Sequence, residues 1–249
     1  MKIVFKIIQE LLRIISGSFN FVLLIIKFKL FLYYSKEKKI TKTISKLKLS
    51  KILVVSGGNS LLDNWSIISD YDFIALNSFY TFNKLSFEQQ NELVQKLLIY
   101  YQAPYHKPIE LDYYNECVQN IINRVNSNCI NIFDSKCVYS RLPDVIKDSS
   151  FDFKVKFGMN YFGGKFVAGS GAFTLLDIIV QSGCKNIDII GFDLDFYNTD
   201  TFISIDDLAL STFQNSIAYY ELKKFKRKCE FFPNLSINNL NENSRYNLK

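Results

Sequence analysis

Short apolar runs that end in small or polar residues recur along the chain. Ile52-Leu53-Val54-Val55 empties into Ser56-Gly57-Gly58-Asn59-Ser60, and Tyr71-Asp72-Phe73-Ile74-Ala75-Leu76 stops at Asn77 in Asn77-Ser78-Phe79-Tyr80. Leu97-Leu98-Ile99-Tyr100-Tyr101 leads to Gln102-Ala103-Pro104, and Asn186-Ile187-Asp188-Ile189-Ile190 to Gly191-Phe192-Asp193-Leu194-Asp195-Phe196-Tyr197. Such runs, bounded by turn residues, predict buried strands of a mostly parallel sheet. A further short strand is expected around Cys129 to Phe133. Helical spacing predicts helices over 85–96, 112–125, 173–182 and 211–228. Ala168-Gly169-Ser170-Gly171-Ala172 opens the third of these, and Gly183 closes it as a glycine C-cap. The alternation of strand and helix defines an α/β class: a Rossmann-like single domain with a mostly parallel sheet.

The N-terminus has a different pattern. Lys2, Lys6, Gln9, Arg13, Ser16, Asn20 and Lys27 recur near the helical period, with Ile, Leu, Val and Phe between them. This is an amphipathic helix with a basic stripe, suited to lying in a membrane interface. Lys27 and Lys29 cut short the most apolar part, which argues against a spanning helix. No small-x-small cleavage site follows, which argues against a signal peptide. A helix packed on a partner or on the core is the other reading. Ser35 to Lys51 reads as a basic linker that adds attraction to an anionic leaflet. The expected division is 1–50 as basic amphipathic helix and linker, 51–240 as the Rossmann-like domain, and 241–249 as a frayed tail. The irregular segments 134–165 and 198–210 are lid candidates.

Charge sharpens this division. The whole chain carries a net +6, but residues 1–51 hold 12 Lys/Arg and 2 Asp/Glu, a net +10. The rest holds 18 basic and 22 acidic residues, a net −4. The basic character therefore belongs to the N-terminus, and a nucleic-acid-binding face on the main domain is disfavoured. Five cysteines without a CxxC, and a single histidine, His106, fit reduced thiols and disfavour a zinc site.

The strand ends carry the candidate chemistry. Ligands of open parallel sheets bind outside the carboxyl ends of the strands. Gly57 and Gly58 let the backbone approach a phosphate or nucleoside closely, although a turn with no ligand has the same composition. Small residues at Ser170-Gly171 open a helix whose N–H groups and dipole suit an anion. Asp193-Leu194-Asp195 has the spacing of a metal-binding DxD motif.

In order, the landmarks are a glycine turn after the first strand, NSFY, YYQAP, GSGA opening a helix, GFDLDFY and a late FPN. This series resembles the bacterial sialyltransferases of glycosyltransferase family 42, which decorate lipo-oligosaccharides. The match spans about residues 51–240, and NSFY and GFDLDFY are its most specific parts. The resemblance implies a Rossmann-like domain with a lid, CMP-sialic acid as donor substrate, and no cofactor or metal. It implies an inverting transfer to a terminal galactose of a bacterial surface glycolipid. It also implies a homo-oligomer and, with the basic N-terminus, a peripheral position on the cytoplasmic side of the inner membrane. Asn59 and Asn77 would contact the CMP moiety, with Gly57 and Gly58 in the same turn. Gln102 stands where the family has an Asn. Ser170 and Gly171 match the Ser-Gly around the donor's carboxylate, Asp193 matches a structural Asp near the site, and Tyr197 matches a tyrosine that steadies the leaving phosphate. Neutral hydroxyl and amide donors can stabilise that charge without a metal.

The chain departs from the family where the acceptor is activated. The family's histidine base falls between DFY and the final Pro-Asn, yet Asn198 to Phe232 contains no histidine. Leu210 or Ser211 stands near its place, and Phe202 replaces a second tyrosine. Losing a positioned base costs about 10²–10⁴-fold. Asp206 or Asp207 could serve instead, or His106 could reach in from elsewhere. Two further readings stand beside the enzyme. One is a catalytically impaired relative that binds a nucleotide sugar in glycan assembly. The other is a pterin-diphosphate kinase-like enzyme, which shares the glycine turn and GFD strand and would use Asp193 and Asp195 with magnesium and ATP.

Overall fold

The computed structural model describes residues 38–102, 111–134, 151–155, 171–192, 222–223 and 225–241. The segment 1–34 expected to form the N-terminal helix, most of the lid candidate 134–165, all of the lid candidate 198–210, and residues 242–249 of the expected tail lie outside them. Seven parallel strands form one sheet in the order β5-β4-β3-β2-β1-β6-β7. They are β1 (Lys51–Val55), β2 (Ile74–Asn77), β3 (Leu97–Gln102), β4 (Ile130–Asp134), β5 (Phe153–Val155), β6 (Asn186–Ile190) and β7 (Ser236–Asn239). The expected α/β class with a mostly parallel sheet is therefore present. Among the described residues no helix is long and apolar enough to cross a membrane.

Alternate residues of each strand feed two cores, as the two-residue strand period requires. Ile52 and Val54 of β1, with Ile187 and Ile189 of β6, face one core. That layer also holds α1 (38–45), α6 (Gly171–Gln181) and α7 (222–223 and 225–229). Leu53, Val55 and Ile190 face the other core, with α2 (Ser60–Asp63), α3 (Ser78–Asn83), α4 (Phe87–Lys96) and α5 (Leu111–Arg124). The chain runs outward from β1 to β5, then returns to place β6 on β1's other side. Strand order thus reverses between β1 and β6, where a doubly wound sheet opens a ligand crevice.

Two segments differ from expectation. Residues 38–45, expected within a linker, form a helix whose Ile40 and Ile44 are fully buried. An i, i+4 isoleucine pair among lysines gives this helix one apolar stripe, and the core takes it. In the 134–165 segment, Phe153–Val155 adds strand β5 to the sheet rather than standing over its edge.

Local signals explain the helices that were expected. Ser86 caps α4 in a capping box with Gln89, satisfying two N–H groups at the helix start. Helix α6 buries Ala172 through Val180 without interruption. A helix apolar all round belongs inside a core. Its one carboxylate, Asp177, is fully buried and accepts from Lys228 of α7 at 2.5 Å and from Gln181 at 2.8 Å.

A second buried carboxylate lies midway along β6. Asp188 accepts from the Tyr71 hydroxyl, Lys51 at 2.9 Å and Asn238 at 2.8 Å. Burial raises its pKa, but the hydrogen bonds from Tyr71, Lys51 and Asn238 outweigh this and hold it below the ordinary carboxylate value. Burial, reinforced by the Asp188 hydrogen bond, pushes the Tyr71 phenol up to about 12. Linkage then fixes two pH effects. The Asp188 contribution to stability is complete above the ordinary carboxylate pKa and is lost as pH falls through the depressed one. The Tyr71 contribution is complete below its unfolded value near 10 and is lost as pH rises towards 12. Urea midpoints measured against pH should therefore fall less steeply at both extremes in an Asp188→Asn, Tyr71→Phe variant. Unchanged slopes would dismiss this cluster as the pH-sensitive element.

Candidate functional site at the carboxyl edge of the sheet

The ends of β1, β2 and β3 bring together five of the expected residues, Gly57, Gly58, Asn59, Asn77 and Gln102. Ser56 follows β1, and its N–H donates to the Ile190 carbonyl at 2.9 Å. The Gly58 N–H donates to the Gly191 carbonyl at 2.9 Å, and the Gly191 N–H donates to the Ser60 hydroxyl at 3.2 Å. The glycine turn is thus laced to the end of β6 across the crevice. Two of its N–H groups are spent on that lacing, so Ser56 and Gly58 do not offer them to an anion. Gly57 and Asn59 complete the turn, Asn59 as the residue before α2 with no side-chain cap bond.

The lacing needs glycine at 191. Its φ is +73°, and a Cβ there would sit 2.0 Å from the Ser56 carbonyl oxygen. Gly57 is packed in another way: a Cβ would meet the Thr81 hydroxyl at 3.2 Å.

Asn77 ends β2 beside this turn. Its Nδ2 donates to the Ser56 hydroxyl at 3.3 Å, while its Oδ1 is buried with no hydrogen-bond partner. A buried acceptor without a donor costs about 1–3 kcal/mol, so such an atom calls for an explanation. The next residue, Ser78, has φ +73°, a conformation that costs a non-glycine residue about 1–2 kcal/mol. Backbone strain of this kind gathers at functional sites. The strain turns the chain from β2 straight into α3.

Helix α3 then carries two residues back over the turn. Thr81 donates to the Asn77 carbonyl at 2.7 Å. Lys84 reaches the Gly57 carbonyl with its ammonium group at 2.6 Å. Positions 77, 81 and 84 follow the i, i+4, i+7 spacing of one helix face. The site thereby gains a cation that reading the strand ends alone misses. Its sequence signal is that Lys84 is the single basic residue between Lys51 and Lys96.

Gln102, at the end of β3, is fully buried. Its side-chain carbonyl accepts from the Phe79 N–H at 3.1 Å and from the Tyr100 hydroxyl at 2.5 Å. Burial raises the Tyr100 pKa well above that of a free phenol, so this donor keeps its proton. Gln102 therefore fixes the start of α3, and with it the geometry around Asn77. Gly171 begins α6 and is partly exposed. Ser170, Asp193, Tyr197, Asp206 and Asp207 lie outside the described residues.

The arrangement offers an uncommitted amide oxygen, a serine hydroxyl and a nearby ammonium group at the strand-order reversal. It can hold a ligand with both a hydrogen-bond donor and negative charge. No family model matches the chain, and neither does any curated protein or solved structure.

Proposed function

We propose that the chain is a glycosyltransferase resembling sialyltransferases. It would transfer sialic acid from CMP-sialic acid to a galactose-terminated bacterial surface glycolipid, by an inverting, metal-independent reaction. The observation that carries this reading is the unpartnered Oδ1 of Asn77, buried beside the glycine turn where strand order reverses. The exocyclic amine of a cytosine is a donor that would satisfy it. Lys84 beside Gly57 adds positive charge near where a nucleotide phosphate would sit. Ser170 and Gly171 would face the donor carboxylate, Asp193 would support the site, and Tyr197 would steady the leaving phosphate. Asp206 or Asp207 would take the acceptor proton. The basic N-terminus would hold the enzyme at the cytoplasmic face of the inner membrane, close to its lipid acceptor.

The lack of a histidine between Asn198 and Phe232 favours a second reading, a nucleotide-sugar-binding relative without transfer activity. Incubating the purified protein with CMP-sialic acid, with and without a galactose-terminated acceptor, separates the two. Acceptor-stimulated CMP release that survives EDTA and falls about 10²-fold or more in Tyr197→Phe is expected, a loss typical of one transition-state donor. CMP binding without release would leave the binding role. Neither binding nor release would reject both for this nucleotide. Release abolished by EDTA would point to the Asp193/Asp195 chemistry instead.

A further inference from the structure

All seven strands run the same way, so the loops that enter them share one edge, opposite the candidate site. Three of these loops precede the neighbouring strands β1, β6 and β7 and touch one another. The Asn186 side chain donates to the Ser50 carbonyl at 3.0 Å, and the Ser236 N–H donates to the Lys185 carbonyl at 2.7 Å. The first loop exposes Lys46, Leu47 and Lys48, the second exposes Lys185, and the third exposes Phe231. Phe231 is 81% exposed, the most exposed of the large apolar residues described. Glu230 is the acidic residue beside it. Under the rest of this edge, the loops entering β2 and β5 expose Asp70, Asp72 and Asp152. Among the described residues, the exposed lysines of this edge therefore gather at one corner together with Leu47 and Phe231, whereas Phe73 lies with the acidic loop before β2, and Lys96, before β3, is partly buried against the Ile68 and Ser69 carbonyls.

Lys48 adds to the case. It adopts φ +50°, a left-handed conformation in which a glycine or asparagine costs less. A lysine there therefore costs the loop stability that a glycine would not.

We propose that this corner, formed by the loops before β1, β6 and β7, docks on an anionic lipid bilayer. Lysines meet the headgroups, and Phe231 with Leu47 enters the interface. Aromatic and basic residues together suit a membrane surface, where apolar side chains gain and phosphates attract. A nucleic acid is favoured less, because its phosphate backbone gives Phe231 and Leu47 no apolar phase. The surface extends the N-terminal membrane attachment of the proposed function onto the folded domain. It does not depend on the enzymatic reading, which CMP release tests separately.

The test uses the full chain carrying Trp65→Phe and Phe231→Trp, so that the indole at position 231 reports alone. Vesicles of phosphatidylglycerol with phosphatidylcholine, pure phosphatidylcholine vesicles, and a duplex RNA are titrated in parallel. A blue shift, with quenching by brominated lipid, is expected on the anionic vesicles only. Each lysine near an anionic surface is worth about 1 kcal/mol, or about fivefold in binding. Lys48→Gly should therefore weaken partitioning about fivefold while raising the melting temperature. Lys46→Gln with Lys185→Gln should weaken partitioning roughly 25-fold. Asn120→Asp with Asn123→Asp, the same charge change on the exposed face of α5, should leave it nearly unchanged. Vesicle binding through the N-terminus with no change at position 231 would overturn the proposal. So would a shift on RNA alone, or an equal loss in the α5 control.

Discussion

Replacing Lys228 with methionine is expected to destabilise the protein by about 3–5 kcal/mol, because it removes a cation paired with a buried carboxylate. Asp177 is fully buried within α6, and Lys228 and Gln181 satisfy its two oxygens. Methionine keeps most of the lysine's apolar stem but leaves Oδ2 without that charge partner. Replacing both partners, Asp177→Leu with Lys228→Met, should recover most of the loss. An apolar pair of similar volume is often as stable as a buried ion pair. Urea denaturation of the two variants decides the matter. A cost below about 1 kcal/mol for Lys228→Met would place the pair among solvent-screened surface bridges.

Gly191→Ala is expected to cost about 2–5 kcal/mol, combining a left-handed backbone penalty with overpacking. The added methyl would lie 2.0 Å from the Ser56 carbonyl oxygen, a backbone atom held by the lacing between β1 and β6. Relief requires the glycine turn to move, and the Gly58-to-Gly191 hydrogen bond would go with it. Gly183→Ala supplies the comparison. Gly183 is also left-handed, at φ +92°, but a Cβ there meets nothing within 4 Å. It should lose about 1–2 kcal/mol, the backbone penalty alone. If thermal melts show equal losses for both variants, packing across the crevice contributes nothing. On the proposed function, Gly191→Ala should also weaken CMP binding, whereas Gly183→Ala should not.

The strands readable in the sequence are those that bury both faces. Ile52 to Val55 and Ile187 to Ile190 lie centrally in the sheet, and cores on both sides demand continuous apolar runs. The edge strands lack that demand. Ser236–Asn239 alternates exposed and partly buried residues, and Phe153–Val155 has three residues. Neither run is long or apolar enough to stand out from a loop. Helix α1 was hidden by its charge, since only Ile40 and Ile44 mark the face it buries.

The site was legible wherever a strand ends. Asn77 and Gln102 could be placed because each closes an apolar run. Their roles could not, because those depend on contacts between distant segments. Gln102 serves Phe79 and Tyr100, while Asn77 lies against Ser56 with one oxygen unpartnered. Lys84 and Thr81 reach the turn through the direction in which α3 leaves β2, which the left-handed Ser78 sets. A serine in a left-handed conformation carries no local sequence mark.

The uniform polarity of the strands also makes the sheet a spacer. Central strand β1 is five residues long and spans about 17 Å at about 3.3 Å per residue. With the amino corner against a bilayer, the glycine turn stands on the order of that distance above the headgroups. Asp70 and Asp72, before β2, and Asp152, before β5, would be repelled from the same surface, tilting the sheet about its β1-β6-β7 side. A sugar could reach the turn only at the end of a headgroup long enough to cover that height. The length of the strands would then select among lipids by the reach of their glycans, before any contact in the pocket discriminates between them.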